Sequence, residues 1–210
     1  MPIRVLLADD HALVRQGVKS LLEREGLQVA GEASDGHELL GLAQKLQPDV
    51  AIIDVSMPVL NGIDAARELR KVSPKTKIIL LTRHDEDQYV TEALHAGVRG
   101  YVLKSQVASE LFHAIQQVCR GLVYLCPSVS GTVVDAYLAK RQLSADPLTS
   151  RERQVLQLVG EGKSSKDVAN LLGISTKTAE SHRSRIMQKL DIHETASLVR
   201  YAIRRGLVQP

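Results

Sequence analysis

Val50-Ala51-Ile52-Ile53-Asp54 decides the fold: four uninterrupted aliphatic residues run into a carboxylate, and a turn at Asn61-Gly62 follows. A continuous apolar run of this length suits a parallel strand covered on both faces, whereas a half-solvated strand alternates. The same pattern recurs on either side. Residues 3–8 (Ile-Arg-Val-Leu-Leu-Ala) end at Asp9-Asp10, residues 78–81 (Ile-Ile-Leu-Leu) end at Thr82, and residues 101–103 (Tyr-Val-Leu) end at Lys104. Leu27–Ala33 is a fifth strand candidate.

Helical spacing fills the intervals. Val14, Val18, Leu21 and Leu22 share one helix face, as do Leu39, Leu42, Ala43 and Leu46 before Pro48. Ile63, Ala66 and Leu69 follow the Asn61-Gly62 turn; Val90, Ala93 and Leu94 precede Gly97; Val107, Leu111, Ile115 and Val118 follow Lys104. Strand and helix alternate five times in about 120 residues. This predicts an α/β, doubly wound, five-stranded parallel sheet with right-handed crossovers.

Open parallel sheets bind ligands beyond the carboxyl ends of their strands. That rim receives Asp9, Asp10, Asp54, Thr82 and Lys104 from unlinked segments. Three close carboxylates form an oxygen cage suited to a hard divalent cation such as Mg²⁺. A carboxylate beside such a cation can act as a nucleophile and form an acyl phosphate. The transferred group carries charge on its equatorial oxygens, which calls for a metal, an ammonium and hydrogen-bond donors. Lys104 supplies the ammonium and Thr82 a donor. Asp54 is the expected nucleophile because it stands alone on the central strand, whereas Asp9 and Asp10 are paired.

Asp9-Asp10, Asp54 with Met57-Pro58 and Asn61-Gly62, Thr82, Tyr101 and Lys104 together resemble the receiver domain of two-component response regulators (flavodoxin-like). The resemblance implies that Asp9, Asp10, Asp54 and the Ser56 carbonyl hold Mg²⁺, and that Asp54 accepts phosphate from a histidine kinase. It also implies a switch in which Thr82 moves toward the phosphoryl oxygens and Tyr101 rotates inward to fill the vacated space.

Composition sets the outer limits. The chain has 210 residues, 44% hydrophobic and 24% charged, an ordinary globular mixture. No apolar run approaches the ~20 residues of a membrane span, and Met1-Pro2-Ile3-Arg4 lacks a signal-peptide layout. Cys119 and Cys126 form neither a disulfide framework nor a zinc spacing, so a cytoplasmic protein with reduced thiols is expected. Trp is absent and Phe occurs once, which argues against stacking on single-stranded nucleic acid.

Charge divides unevenly. Residues 146–210 hold 11 Lys and Arg against 7 Asp and Glu, whereas the first 145 residues hold 16 against 17. A basic last third suits a polyanionic partner. There, Thr149 with Glu152 and Ser164 with Asp167 have capping-box spacing, and Gly173 ends the second of four expected helices. The third helix, about 177–190, turns Ala179, Ile186 and Leu190 inward. Its opposite face carries Lys177, Ser181, Ser184, Arg185 and Gln188, with Thr178 and Glu180 beside them. Such a face on the second helix of a helix-turn-helix can enter the major groove. There Lys and Arg bind phosphates while Glu180 can accept from cytosine N4.

Leu148-Thr149-Ser150-Arg151-Glu152-Arg153, Val168-Ala169, Leu172-Gly173-Ile174-Ser175 and Thr178-Ala179-Glu180-Ser181-His182-Arg183 resemble the LuxR-type DNA-binding domain. The two halves together resemble the NarL/FixJ family of transcriptional regulators. By that resemblance the fourth helix, around Ala196, Leu198 and Val199, supplies the homodimer contact on double-stranded DNA. The expected organisation is a receiver over 1–121, a linker over 122–147 and a smaller all-α helix-turn-helix domain over 148–210. Within the linker, residues 122–128 read as an extended exit, 129–140 as a short helix and 142–147 as a break.

The favoured function is a phosphorylation-activated transcriptional regulator, with no turnover enzyme activity. The alternative is a magnesium-dependent phosphohydrolase with a strand-end Asp nucleophile. Such enzymes of the haloacid-dehalogenase type carry a second Asp two residues on, where Ser56 stands here. His84-Asp85-Glu86-Asp87 reads as an acidic loop rather than a metal site, because no other histidine is placed to complete it. An acyl-lactone sensor with a similar DNA-binding tail requires a different N-terminal domain.

Overall fold

A computed structural model describes residues 2–83, 87–131 and 147–208. Two compact units result. In the first, β1 (Arg4–Ala8), β2 (Gln28–Ala33), β3 (Val50–Asp54), β4 (Lys77–Thr82) and β5 (Gly100–Leu103) alternate with α1 (Ala12–Arg24), α2 (Gly36–Leu46), α3 (Gly62–Val72), α4 (Asp87–His95) and α5 (Val107–Cys119). With a short β6 (Tyr124–Leu125) after α5, all strand pairs are parallel, in the order β2-β1-β3-β4-β5-β6.

The sixth strand corrects the five-strand expectation. β6 (Tyr124–Leu125) lies in the stretch read as a linker exit and pairs with Gly100 and Tyr101 of β5. Its extended backbone was legible, but its partner was not. The Tyr124 N–H donates to the Arg99 carbonyl at 2.8 Å, a pairing that no local pattern announces. The helix expected over 129–140 is described only as far as residue 131, helical from 127. The remainder of that helix, residues 142–146 of the break and His84-Asp85-Glu86 lie outside the described residues.

Alternation along each strand divides the core between the two faces of the sheet. Val5, Leu7, Val50, Ile52, Ile79, Leu81 and Val102 pack with Val18 and Leu22 of α1 and with Leu111, Ile115 and Val118 of α5. Leu6, Ile53, Leu80 and Tyr101, also buried, point to the other face. Strands covered on both faces need no polar alternation, which is why their sequences are continuous aliphatic runs.

The second unit is all-α: α6 (Ser150–Gly160), α7 (Ser165–Leu172), α8 (Thr176–Leu190) and α9 (Thr195–Arg204). Both expected capping boxes form. Thr149 and Glu152 satisfy each other's backbone N–H groups at the start of α6, as Ser164 and Asp167 do at α7. Gly173 closes α7 at φ +62°. Val155, Leu156, Leu158, Val168, Ala169, Ala179, Ile186, Leu198 and Ala202 make the core. No described helix is long and apolar enough to cross a membrane.

Candidate functional site

Strand register builds the rim. Ala8 stands opposite Ile53, so Asp9 and Asp54, the next residues, come level. Thr82 stands opposite Leu103, which brings Lys104 to the same edge. The sheet order reverses direction between β1 and β3, opening a crevice at their carboxyl ends. Asp9 is 1% and Asp54 2% exposed, while Asp10 faces solvent.

Lys104 joins the two buried acids. Its Nζ lies 2.8 Å from Asp9 Oδ2 and 2.8 Å from Asp54 Oδ2. Burial is the largest influence on Asp54 and holds its carboxyl above the usual range; Lys104 opposes this, Asp9 adds to it, and the Ser56 N–H favours the charged form. Burial also works against the Lys104 ammonium, but Asp54 and Asp9 outweigh it and hold it above its ordinary value.

Glycine at 62 is a steric requirement of the site. A Cβ there would lie 2.1 Å from the Asp54 carbonyl oxygen, while the Gly62 N–H donates to the Val55 carbonyl at 2.9 Å. The preceding Asn61 caps α3, its side chain accepting from the Asp64 N–H at 2.9 Å. The β3–α3 loop is thus pressed against the residue that carries the carboxylate.

Candidate ligand atoms from Asp9, Asp10, His11 and Asp54 all lie within 4.8 Å of one another. The carboxylates are hard oxygen donors, two buried and one exposed, so the set fits Mg²⁺. His11 was not anticipated. Its N–H donates to Asp9 Oδ1 at 2.8 Å and its Nδ1 lies 2.7 Å from Asp10 Oδ1. Arg15, one turn into α1, donates to the Asp9 carbonyl at 2.6 Å and to Glu32 at 3.3 Å. A histidine directly after the acidic pair was the available signal for His11; for Arg15, whose partners are backbone and β2, there was none.

Thr82 and Tyr101 are each 1% exposed. Tyr101 pairs with Leu80, two residues before Thr82, so both side chains project to the same face. The Tyr101 ring already occupies the inward position that the sequence reading assigned to the switched state.

The second site lies on α8. Ser175 caps it, accepting from the Thr178 N–H, while Ala179 and Ile186 are buried beneath it. Lys177, Thr178, Glu180, Ser181, Ser184, Arg185 and Gln188 are all exposed. Lys189 donates to Glu152 at 2.7 Å and fixes α8 against α6. Burial opposes ionisation of Glu152, but Lys189 and Thr149 hold its carboxyl below the usual range. Arg183 donates to the Thr195 hydroxyl and so ties α8 to the start of α9.

The expected dimer contact divides. Ala196 is exposed and Val199 half-buried, but Leu198 is fully buried in the domain's own core. One helix turn separates Leu198 from buried Ala202, and both point inward. Leu198 is therefore an internal packing residue rather than a surface contact.

Comparison with known proteins matches both halves of the chain. Residues 5–116 match the response regulator receiver domain, and residues 146–202 match the bacterial regulatory proteins of the luxR family. The transcriptional regulatory protein MctR of Rhizobium johnstonii is 39% identical, over 98% of this chain and 95% of its own. The transcriptional regulatory protein YxjL of Bacillus subtilis is 38% identical, over 99% and 98%. RcsB from Salmonella enterica serovar Typhimurium, solved bound to promoter rprA with the phosphomimetic BeF₃⁻, is 28% identical over 96% of this chain and 98% of its own, with a TM-score of 0.67. With both halves matched in order and relatives aligned along nearly the whole length, the chain belongs to the NarL/FixJ family of two-component response regulators.

Proposed function

We propose that this transcriptional regulator accepts a phosphoryl group on Asp54 from a sensor histidine kinase, and thereby controls the grip of α8 on duplex DNA. The observation that carries this reading is the register that brings Asp9, Asp54 and Lys104 to one buried rim in a chain that also presents an exposed polar face on α8. Residues 1–121 are assigned to the receiver, with β6 added from the first part of the 122–147 linker, and 148–210 to the DNA-binding domain. The setting is the cytoplasm, where kinase and DNA are both accessible.

The phosphoryl step follows from the residues present. An Asp54 carboxylate oxygen attacks phosphorus, the bond to the donor imidazole nitrogen breaks, and an acyl phosphate forms. Burial makes Asp54 the more basic and the better nucleophile. Asp9, Asp10, Asp54 and the Ser56 carbonyl would hold Mg²⁺, which when bound neutralises charge on the phosphoryl oxygens. Lys104, already 2.8 Å from Asp54 Oδ2, offers its ammonium to the same oxygens, and the Thr82 hydroxyl offers a further donor. The product adds negative charge and strong acceptors on the face that Thr82 and Tyr101 share, and so biases a pre-existing equilibrium. Asp54 takes part in its own phosphorylation and hydrolysis, without turnover of an external substrate. A phosphohydrolase would want a general acid two residues after Asp54, and Ser56 does not supply one.

On DNA, Lys177 and Arg185 contact phosphates. Glu180 accepts from a cytosine amino group, and Thr178, Ser181, Ser184 and Gln188 contact base edges or backbone. A homodimer meeting through the exposed part of α9, including Ala196 and Val199, would read two half-sites about one helical turn apart.

The test is chemical. With a small phosphodonor and Mg²⁺, the wild-type chain takes one hydroxylamine-sensitive label and Asp54→Ala takes none. Labelling retained by Asp54→Ala would move the nucleophile elsewhere.

A further inference from the structure

We propose that the receiver carries a second binding site, for a small phosphorylated ligand, at the end of the sheet opposite Asp54. A cavity of about 430 Å³ is lined by Arg70, Lys77 and Arg99 together with Leu94, Val98 and Val123. Lys77 opens β4 and Arg99 directly precedes β5, so the cavity lies at the amino ends of these strands, whereas Asp54, Thr82 and Lys104 lie at the carboxyl ends. The volume falls within the ~300–1,000 Å³ of small-ligand pockets.

Charge selects the ligand class. Among the described residues, no carboxylate side chain lines the cavity and none of the three cations makes an ion pair. The carboxyl ends of α3 and α4 lie nearby and each contributes about half a negative charge. Against three cations this leaves an excess of about two positive charges, enough for a phosphate dianion or a diphosphate. Leu94, Val98 and Val123 provide an apolar wall for an organic body, and Val123 is 48% exposed.

Arg70 is exposed, and its side chain runs over Gly97. Gly97 has φ +90°, and a Cβ there would lie 2.4 Å from Arg70 Cδ and 2.8 Å from both Nε and Nη1. The guanidinium therefore lies against a bare stretch of backbone that only glycine provides.

The test uses full-length protein in EDTA, so that the acidic rim carries no metal to attract phosphate. Inorganic pyrophosphate is titrated and backbone amide shifts are followed by NMR at constant ionic strength. The expected result is saturable shifts at residues 97–100. Affinity should fall roughly tenfold or more in Arg70→Ala and in Arg99→Ala, since a hydrogen bond to a charged group is worth about that factor. Both positions are exposed, so both variants should fold. The double variant Lys177→Ala, Arg185→Ala should bind as wild type does. Shifts confined to 148–208, no shifts at 97–100, or undiminished affinity in both arginine variants would overturn the proposal.

Discussion

Replacing Lys104 by alanine removes the cation that stands 2.8 Å from both Asp9 Oδ2 and Asp54 Oδ2. The two buried acids have oxygens within 4.8 Å of each other. Their mutual repulsion is present in wild type as well, where the two Lys104 attractions offset it, so the variant's cost is the loss of those attractions. Deleting one partner of a buried ion pair costs ~3–5 kcal/mol. The sign with pH follows from burial. Asp54 is already held above its ordinary value of 3.8, and losing Lys104 raises it further. A carboxyl whose folded value is raised costs stability above its unfolded value, and the cost disappears as pH falls through the folded value. The deficit of Lys104→Ala against wild type should therefore be small near pH 4 and approach ~3–5 kcal/mol near pH 8. Added Mg²⁺ should shrink it at pH 8. Hydrogen exchange of the β3 amides, residues 50–54, reports it in the full chain after correction for intrinsic rates. Equal deficits at both pH values, or none at pH 8, would refute the electrostatic account of the rim.

Glu152→Gln loses the charge on the Lys189 pair and weakens the cap of α6, and should cost about 1–2 kcal/mol at pH 7. Because the wild-type carboxyl is held below its ordinary value of 4.5, that stability is present above pH 4.5 and is lost as pH falls through the lower folded value. Thermal denaturation of the two proteins should therefore converge in acid. Leu198→Ala should cost about 2–5 kcal/mol, measured by hydrogen exchange in α6 and α9, whereas Ala196→Ser should stay within about 0.5 kcal/mol. A stable Leu198→Ala protein that fails only to dimerise would return Leu198 to the surface. Arg185→Ala should weaken DNA binding across all sequences and reduce the salt slope by about 1, and an unchanged slope would remove it from the phosphate contacts.

The rim was legible because its signal is local. Each functional side chain sits directly after the last aliphatic residue of a strand, and parallel register aligns those positions without help from distant residues. The helix-turn-helix was legible for a similar reason: Thr149 with Glu152, Ser164 with Asp167 and the Gly173 stop are all short-range hydrogen-bonding patterns. What escaped was tertiary. β6 has only two residues and gains its identity from the Arg99 carbonyl and the edge of β5. Lys189 meets Glu152 across 37 positions, and Arg15 reaches the backbone of Asp9. Leu198 shows the limit of a resemblance. The fourth helix was placed correctly, but only burial distinguishes its inward residue from its outward neighbours.

DNA affinity of the full-length chain, measured with and without a small phosphodonor in Mg²⁺, for wild type and for Asp54→Ala, tests the coupling most directly. The account predicts that donor treatment tightens wild-type binding and leaves Asp54→Ala unchanged. An equal response in both proteins would contradict it.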